Sequence, residues 1–346
     1  MIIDKNYCMS SFFTFRYVED DNVIFKEGIT HDPFLDEKYD ETFTISDAQD
    51  IDKAIRKIIE QEADSNTAIL LSSGMDSAIL ASYLKPGTRA YTFQCVAPDA
   101  IDETPLAIKY AKKYKLDHQI IKITWDDYLD LLPILMKTQG APIHSIGPQI
   151  LKAIKIAEKE NITKLLSGYG ADCLFGGLTR ILAKERTLDE FINFYTFVEP
   201  QKVLKEPVSL RHVFKRFLKP DGYIDTLKYI HDGILGIEGA TSFNAPFALT
   251  NIKNFKIYTR MQLQNPLDIQ RIRNGEPKYM LAELFKQRYP GMAIPDKIAL
   301  PRAVTQWLQN WEGPTREEFC VQDINAFSGE QKWLIFCLEQ FLNMID

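Results

Sequence analysis

The cysteines of this chain form no recognisable ligand or disulfide pattern. No Cys-x-x-Cys pair occurs, and the five cysteines are odd in number and widely scattered: Cys8, Cys95, Cys173, Cys320 and Cys337. Zinc sites and disulfide frameworks need characteristic cysteine spacings, so neither is indicated. The first residues also lack the apolar core of a secretory signal peptide. We therefore expect a protein of the reducing cytoplasm.

Charge of one sign is not concentrated in any segment either. The formal net charge is −6, with no basic run and no acidic tail, which argues against a nucleic-acid surface. No stretch approaches the roughly 18 consecutive apolar residues that a membrane-spanning helix needs. Because 45% of the 346 residues are hydrophobic, the chain can bury a substantial core. We expect small-molecule substrates as partners, with no nucleic acid and no membrane.

Short apolar runs alternate with helical patterns in the first half of the chain. Buried strands are predicted at 68–71, 89–95, 118–123 and 162–166, with amphipathic helices between them. This alternation is typical of βαβ units, so we predict an α/β fold with a parallel, twisted sheet and flanking helices. The patterns after about residue 178 predict a helical C-terminal half.

Residues 1–45 are predicted to form a short N-terminal unit. Aromatic residues alternate over 11–27 around a polar turn, which is typical of a β-hairpin. Residues 28–45 are then an irregular connector of mixed charge. One closely packed domain is predicted to occupy residues 46–346.

The first predicted strand of the sheet runs into a loop of small residues at 72–77 (Ser-Ser-Gly-Met-Asp-Ser). The backbone N–H groups of this loop are expected to be free, its small side chains let an anion approach, and a helix follows it. No Gly-Lys-Ser/Thr is present, which excludes a Walker-type loop. The stretch therefore predicts a phosphate site of another kind.

The most specific stretch of the chain is 167–177 (Ser-Gly-Tyr-Gly-Ala-Asp-Cys-Leu-Phe-Gly-Gly). It resembles the Ser-Gly-Glu-Gly-Ala-Asp-Glu-Leu-Phe-Gly-Gly block of the asparagine synthetase superfamily. The loop at 72–77 resembles the Ser-Gly-Gly-x-Asp-Ser loop of the ATP pyrophosphatases, and the resemblance spans roughly residues 46–315. It implies the adenine nucleotide α-hydrolase-like ATP pyrophosphatase fold. It also implies an ATP-dependent amide ligase that forms an acyl-adenylate and releases AMP and pyrophosphate.

The resemblance also implies roles for residues at the motif positions. Asp76 and Asp172 match the positions that hold Mg²⁺, and Lys297 matches the lysine that stabilises the charged intermediate. ATP and Mg²⁺ are the implied cofactors, since adenylation needs charge on the phosphates to be neutralised. The implied contacts to ATP and pyrophosphate are Ser72, Ser73, Gly74, Asp76, Ser77, Gly168, Lys278 and Lys297.

Three positions depart from the family pattern. Ser73 stands where glycine is usual and Cys173 replaces an acid, and both favour the alternative of a catalytically inactive nucleotide-binding scaffold. Tyr169 replaces a glutamate, as in β-lactam synthetase and carbapenam synthetase, where the tyrosine works with a carboxylate as base on the attacking amine. A phenol, with an ordinary pKa of about 10, matches an alkyl ammonium in this role. The candidate carboxylate partners of Tyr169 are Asp232, Glu238 and Glu199.

The source of the amine distinguishes the remaining functions. The residues before 46 are too few to hold the glutaminase domain of asparagine synthetase. We therefore expect an amine carried by a substrate, within the same molecule or on a second one, in an enzyme of specialised metabolism. The alternative is an ammonia-dependent amidotransferase fed by a separate glutaminase. That glutaminase or a carrier protein would then be the macromolecular partner.

Overall fold

The computed structural model describes residues 1–36 and 38–346 as an alternation of short strands and helices. The strands are β1 (Ile2–Ile3), β2 (Val23–Ile24), β3 (Phe43–Ile45), β4 (Thr67–Leu70), β5 (Arg89–Cys95), β6 (Asp117–Ile123), β7 (Lys164–Ser167), β8 (Lys253–Lys256) and β9 (Met261–Leu263). The α-helices are α1 (Lys5–Phe15), α2 (Ala48–Glu62), α3 (Met75–Ala81), α4 (Thr104–Lys113), α5 (Trp125–Gln139), α6 (Gly147–Lys159), α7 (Ala171–Leu174), α8 (Thr179–Leu182), α9 (Leu188–Tyr195), α10 (Pro200–Val203), α11 (Arg211–Lys215), α12 (Thr226–Tyr229), α13 (Ala240–Asn244), α14 (Ile269–Arg273), α15 (Tyr279–Arg288), α16 (Val304–Trp307) and α17 (Gly329–Ile345). A π-helix spans Ile230–Gly239, and 3₁₀ turns lie at Phe247–Leu249, Tyr258–Arg260 and Ile324–Ala326. None of these helices is both long and apolar enough to cross a membrane.

Within the described residues, five strands form one parallel sheet in the order β6-β5-β4-β7-β8. This confirms the predicted α/β fold with a parallel sheet and flanking helices. Of these five strands, β4 comes first along the chain and lies in the middle of the sheet, so the direction in which strands are added reverses at β4. Ligands of open α/β sheets bind at such a switch point, beyond the carboxyl ends of the strands. Because β4 and β7 are parallel neighbours, the loops after Leu70 and Ser167 leave the sheet side by side.

Helices cover both faces of this sheet, which is why its central strands are apolar on both sides. Ala68 and Leu165 point into a core that also contains residues of α1, α5, α6 and α17. Ile69 and Leu166 point into a second core with α2, α3, α4 and α15. All four side chains are fully buried. Burial of each of the three larger ones, Ile69, Leu165 and Leu166, contributes about 1.5–3 kcal/mol to the stability of the fold. The loops at the carboxyl edge therefore stand on a rigid platform.

The predicted hairpin over residues 11–27 is wrong, because residues 11–15 belong to α1 and Val23–Ile24 pairs in parallel with the N-terminal strand β1. The helix begins where the Asp4 carboxylate accepts a backbone N–H of the first turn, and it ends at Arg16 with a left-handed φ of 69°. Every residue from Cys8 to Phe15 is buried, so the helix has no polar stripe there. β2 pairs in parallel with β1. Because the helix is buried on all sides here, its sequence does not show the helical periodicity of apolar and polar residues. Its residues alternate instead in a way that resembles a strand.

The region after residue 178 is built mainly from short helices, as predicted, but it also supplies two strands. β8 extends the sheet beside β7, with Phe255 opposite Leu166, and β9 pairs with β3. The Lys-Asn-Phe-Lys sequence of β8 has a single apolar residue, so periodicity does not indicate a strand. α1 packs against α10 and α17, and the first residues therefore share a core with the last helix.

Candidate active site

The two motif loops meet directly at the carboxyl edge of the sheet. Gly168 lies against the other loop: a Cβ added to this glycine would be 3.0 Å from the Asp76 Cβ and 3.2 Å from the Ser77 nitrogen. Any larger residue at position 168 would require the neighbouring loop to shift by a few tenths of an ångström. Residues that are distant in sequence therefore share one site.

Lys278 joins the carboxylates of the two loops. Its Nζ lies 2.5 Å from Asp76 Oδ2 and 2.5 Å from Asp172 Oδ1. Lys278 immediately precedes α15, and its side chain is only 9% exposed. Gly177 leaves the space for this contact, since a Cβ there would lie 2.0 Å from Asp172 Oδ1 and 2.3 Å from Lys278 Cε. The structure thus brings Asp76 and Asp172 together around one ammonium group.

Burial and pairing shift the pKa values in this cluster. Burial disfavours the Lys278 ammonium, but the attraction of the two carboxylates outweighs burial and raises its pKa. Burial also opposes ionisation of Asp172, yet Lys278 and Lys297 outweigh it and lower the pKa of Asp172. At Asp76 burial dominates and raises the pKa in spite of Lys278. Positive charge is therefore what allows two carboxyl groups to lie so close together.

Lys297 adds a second cation on the other side of Asp172. Its Nζ is 3.1 Å from Asp172 Oδ2 and donates a 2.7 Å hydrogen bond to the carbonyl oxygen of Gly177. The Lys297 side chain is 45% exposed, unlike that of Lys278, and it lines the cavity over the motif loops. Lys297 can therefore meet negative charge that develops on a bound ligand.

The oxygen donors of this cluster suit magnesium. Asp76 Oδ1 is buried and accepts no hydrogen bond from any described residue. Mg²⁺ prefers oxygen ligands and often takes only one or two carboxylates, with phosphate oxygens and water completing its shell. No group of three or more His, Cys, Asp or Glu side chains in the described chain is arranged to hold a metal ion. Asp76 and Asp172 thus fit an ion that arrives with a triphosphate, and this role stays a prediction.

The backbone N–H groups of the first motif loop are not all free, contrary to the expectation from the sequence. The Ser72 N–H donates to Ser77 Oγ at 3.0 Å, and the Gly74 N–H donates to Ser72 Oγ at 3.1 Å. The Ser73 N–H donates to a carboxylate oxygen of Glu103 at 2.9 Å. Side-chain oxygens thus satisfy these three donors. A phosphate that binds through them must displace those side chains.

Glu103 is a further residue of this site, which the motif resemblance does not assign. It follows β5 at the same edge of the sheet, lines the cavity and is 4% exposed. Its Oε1 has no hydrogen-bond partner among the described residues. Burial raises the pKa of Glu103 to about 7, although the hydrogen bonds from Ser73 oppose this shift. The signal for it in the sequence was the acidic pair Asp102-Glu103, which lies directly before the helix that begins at Thr104.

We expect Glu103→Gln to change how stability depends on pH. A carboxyl group whose pKa is about 7 in the folded state, against about 4.3 in an unfolded chain, stabilises the fold below pH 4 and loses this contribution as the pH rises through 7. Wild type should therefore lose up to about 3 kcal/mol relative to the glutamine variant between pH 5 and pH 8. Urea unfolding at several pH values measures this difference. A difference that stays constant over that range would show that Glu103 does not titrate there.

Tyr169 makes no hydrogen bond to any of its three candidate carboxylates. Its hydroxyl donates to the Leu235 carbonyl oxygen in the π-helix at 3.0 Å, and burial raises the pKa of Tyr169 far above its ordinary value. The candidates are engaged elsewhere: Glu238 with Arg16 and Tyr195, Asp232 with His231, and Glu199 with Lys202. The π-helix carries Glu238 towards α1 rather than towards Tyr169. The described residues therefore show no hydrogen bond between Tyr169 and these carboxylates, and its role as base stays a prediction.

A cavity of about 1070 Å³ lies over these residues. Its walls come from the ends of β4, β5 and β7, from the π-helix and from residues 294–300. Ligand sites typically measure roughly 300–1,000 Å³, so this volume suits a nucleotide together with a second substrate. Most of the predicted site residues line it: Ser72, Gly74, Asp76, Ser77, Gly168, Tyr169, Asp172, Lys278 and Lys297. Ser73 is buried behind the loop, against Glu103.

Comparison with protein families gives one match. A family model described as asparagine synthase matches residues 49–229, just over half of the chain. The matched region contains both motif loops, Asp76 and Asp172, and it ends before Lys278 and Lys297. No curated protein matches the chain.

Solved structures that resemble this chain include three at low identity. The NH3-dependent NAD synthetase from Campylobacter jejuni subsp. jejuni NCTC 11168, in complex with the nitrate ion, is 17% identical over 38% of this chain, with a TM-score of 0.26. This match spans 61% of the NAD synthetase chain. The NMN synthetase from Francisella tularensis is 12% identical over 72% of this chain and 97% of its own, with a TM-score of 0.27. The U34-tRNA thiolase NcsA from Methanococcus maripaludis, with its 4Fe-4S cluster, is 14% identical over 72% of this chain and 82% of its own, with a TM-score of 0.26.

Proposed function

Because the chain belongs to the asparagine synthase family, we propose that it joins a carboxylate to an amine with ATP as the activating reagent. In the first step a carboxylate oxygen attacks the α-phosphorus of ATP, and pyrophosphate leaves with the electrons of the broken P–O bond. In the second step the amine nitrogen attacks the acyl carbon, AMP leaves, and the nitrogen loses a proton. Activation is needed because a carboxylate oxygen is a poor leaving group, whereas AMP is a good one.

The convergence of two carboxylates and two lysines in one cavity carries this proposal. ATP and Mg²⁺ are the proposed cofactors, and the ion, held by Asp76 and Asp172, would neutralise charge on the triphosphate. Lys278 holds those two carboxylates in place and contacts phosphate. Lys297 stabilises the charge that accumulates between the α-phosphate and the departing pyrophosphate. The remaining proposed contacts to pyrophosphate are Ser72, Ser73, Gly74, Ser77 and Gly168.

Exchange of labelled pyrophosphate into ATP, measured across a panel of carboxylates without any amine, tests the first step. We expect exchange that requires both a carboxylate and magnesium. Absence of exchange with every acid would contradict the proposal and favour the inactive nucleotide-binding scaffold. Amide formation with ammonium as the sole amine would instead favour the amidotransferase fed by a separate glutaminase.

We propose that Tyr169 acts in the second step, on the amine. In this role its hydroxyl must break its hydrogen bond to the Leu235 carbonyl and form one with the substrate nitrogen. Tyr169→Phe should slow amide formation by about 10²-fold, the lower end for general base catalysis, and affect pyrophosphate exchange much less. The rates of amide formation and of pyrophosphate exchange, measured in the same preparation of the variant, give this difference. Tyr223→Phe, which alters an exposed tyrosine, is the control, and equal slowing of both steps by Tyr169→Phe would contradict the assignment.

A further inference from the structure

The cavity continues past Asp172 along a wall of apolar side chains. Cys173 follows Asp172 in α7, Leu178 follows the Gly177 carbonyl that binds Lys297, and Ile234 lies in the π-helix. All three line the cavity and are partly buried against one small core. Its central residues are Leu182, Ile230, Leu267 and Ile272. Packing therefore fixes this wall next to the cluster that would activate a carboxylate.

Two aromatic rings extend the same wall. The rings of Tyr169 and Phe243 lie 4.8 Å apart, and both residues line the cavity. The Tyr169 ring is held closely against the π-helix, since a Cβ on Gly239 would be 3.2 Å from its Cε2. The Tyr169 hydroxyl is occupied by the Leu235 carbonyl. These rings thus present mainly carbon surface to a bound molecule, and Thr179 is a polar residue of the same cavity.

Several charged groups near this wall already have partners. Glu238 of the π-helix is 4% exposed, pairs with Arg16 and accepts a hydrogen bond from the Tyr195 hydroxyl at 2.9 Å. The two arginines that line the cavity pair with glutamates: Arg271 with Glu276 and Arg302 with Glu330. Lys286 also lines the cavity and is exposed. It belongs to α15, a helix that packs against α2 and α3.

A substrate that placed an ammonium group and a second carboxylate against this wall would bury charge without partners. That burial costs several kcal/mol for each group. An aliphatic or aromatic body would instead gain the free energy of leaving water. The chemistry of the wall therefore discriminates against a charged α-amino acid such as aspartate.

We propose that the acid activated here is a monocarboxylate with an apolar body of several carbon atoms, aliphatic or aryl. This inference rests on the proposed adenylation and specifies its acyl substrate. The carboxylate lies beside Lys297 and Asp172, and the apolar body lies along Leu178, Ile234 and Phe243.

Pyrophosphate exchange with a homologous series of acids tests the inference. Acetate, butyrate and hexanoate differ only in methylene groups, and each buried methylene should raise kcat/KM about fourfold. Hexanoate should therefore exceed acetate by on the order of 10²-fold, and aspartate and succinate should exchange more slowly than hexanoate. A flat series, or faster exchange with aspartate or succinate, would overturn the inference while leaving adenylation intact. No exchange with any acid would overturn the proposed function itself.

Variants of the wall separate contact with the acyl body from a general loss of activity. Ile234→Asn and Leu178→Asn should each lower the ratio of hexanoate to acetate exchange by about tenfold, the effect of one to two methylenes. Because both acids are measured in one preparation, loss of folded protein cancels from the ratio. Ile108→Asn, at an exposed position on α4, is the matched control and should leave the ratio unchanged. An unchanged ratio in both wall variants would overturn the inference.

Discussion

Lys297→Ala is expected to lower the rate of amide formation by about 10²- to 10³-fold, the usual cost of removing one preorganised charge-stabilising group. The Kd for ATP should change much less, because Asp76, Asp172 and Lys278 stay in place. Among the described residues, the Lys297 ammonium has Asp172 and the Gly177 carbonyl as its polar partners, and the side chain is almost half exposed. Its interactions are therefore available for a charged transition state rather than required for folding.

Steady-state rates and calorimetric ATP binding separate the two effects of this substitution. Lys155→Ala, at an exposed position on α6, is the control for removal of a lysine charge. Wild-type turnover in Lys297→Ala would overturn the catalytic assignment. Loss of ATP binding in step with turnover would instead make Lys297 a binding residue.

Lys278→Met is expected to cost about 3–5 kcal/mol of stability, the range for removing one partner of a buried ion pair. The ammonium is 9% exposed and lies 2.5 Å from an oxygen of each carboxylate. Without it, Asp76 and Asp172 face each other with no compensating charge between them. Magnesium alone should then raise the Tm of the variant more than that of wild type, since the ion can replace the missing charge.

Thermal unfolding with and without magnesium, in the absence of ATP, measures both parts of this prediction. Lys286→Met, on the exposed side of the neighbouring helix α15, is the matched control and should leave stability nearly unchanged. Equal magnesium shifts in all three proteins would argue against a magnesium site at Asp76 and Asp172. A Lys278→Met protein as stable as wild type would argue against the buried pairing itself.

Much of the sheet could be predicted from local patterns. Its central strands are short apolar runs bounded by glycine and polar residues, because a parallel sheet covered on both faces leaves no polar side. Because parallel strands end at one edge of a sheet, the loops that carry Asp76 and Asp172 lie side by side. The sequence patterns did not predict α1 or β8, and the reasons are opposite. α1 is buried all round and lost its helical period, whereas β8 has one apolar residue and is a strand only because β7 lies beside it.

The candidate active site likewise combines features that local sequence determines with contacts that only the folded chain creates. The motif loops, with the small residues that let them approach, are local features that the sequence by itself determined. Only the tertiary structure decided that Lys278 lies between the two carboxylates, that Glu103 occupies the Ser73 N–H, and that Tyr169 binds a π-helix carbonyl instead of a carboxylate. These contacts join segments 30 to 202 residues apart. Local periodicity holds no information about such pairings, because the packing of whole helices against the sheet selects them.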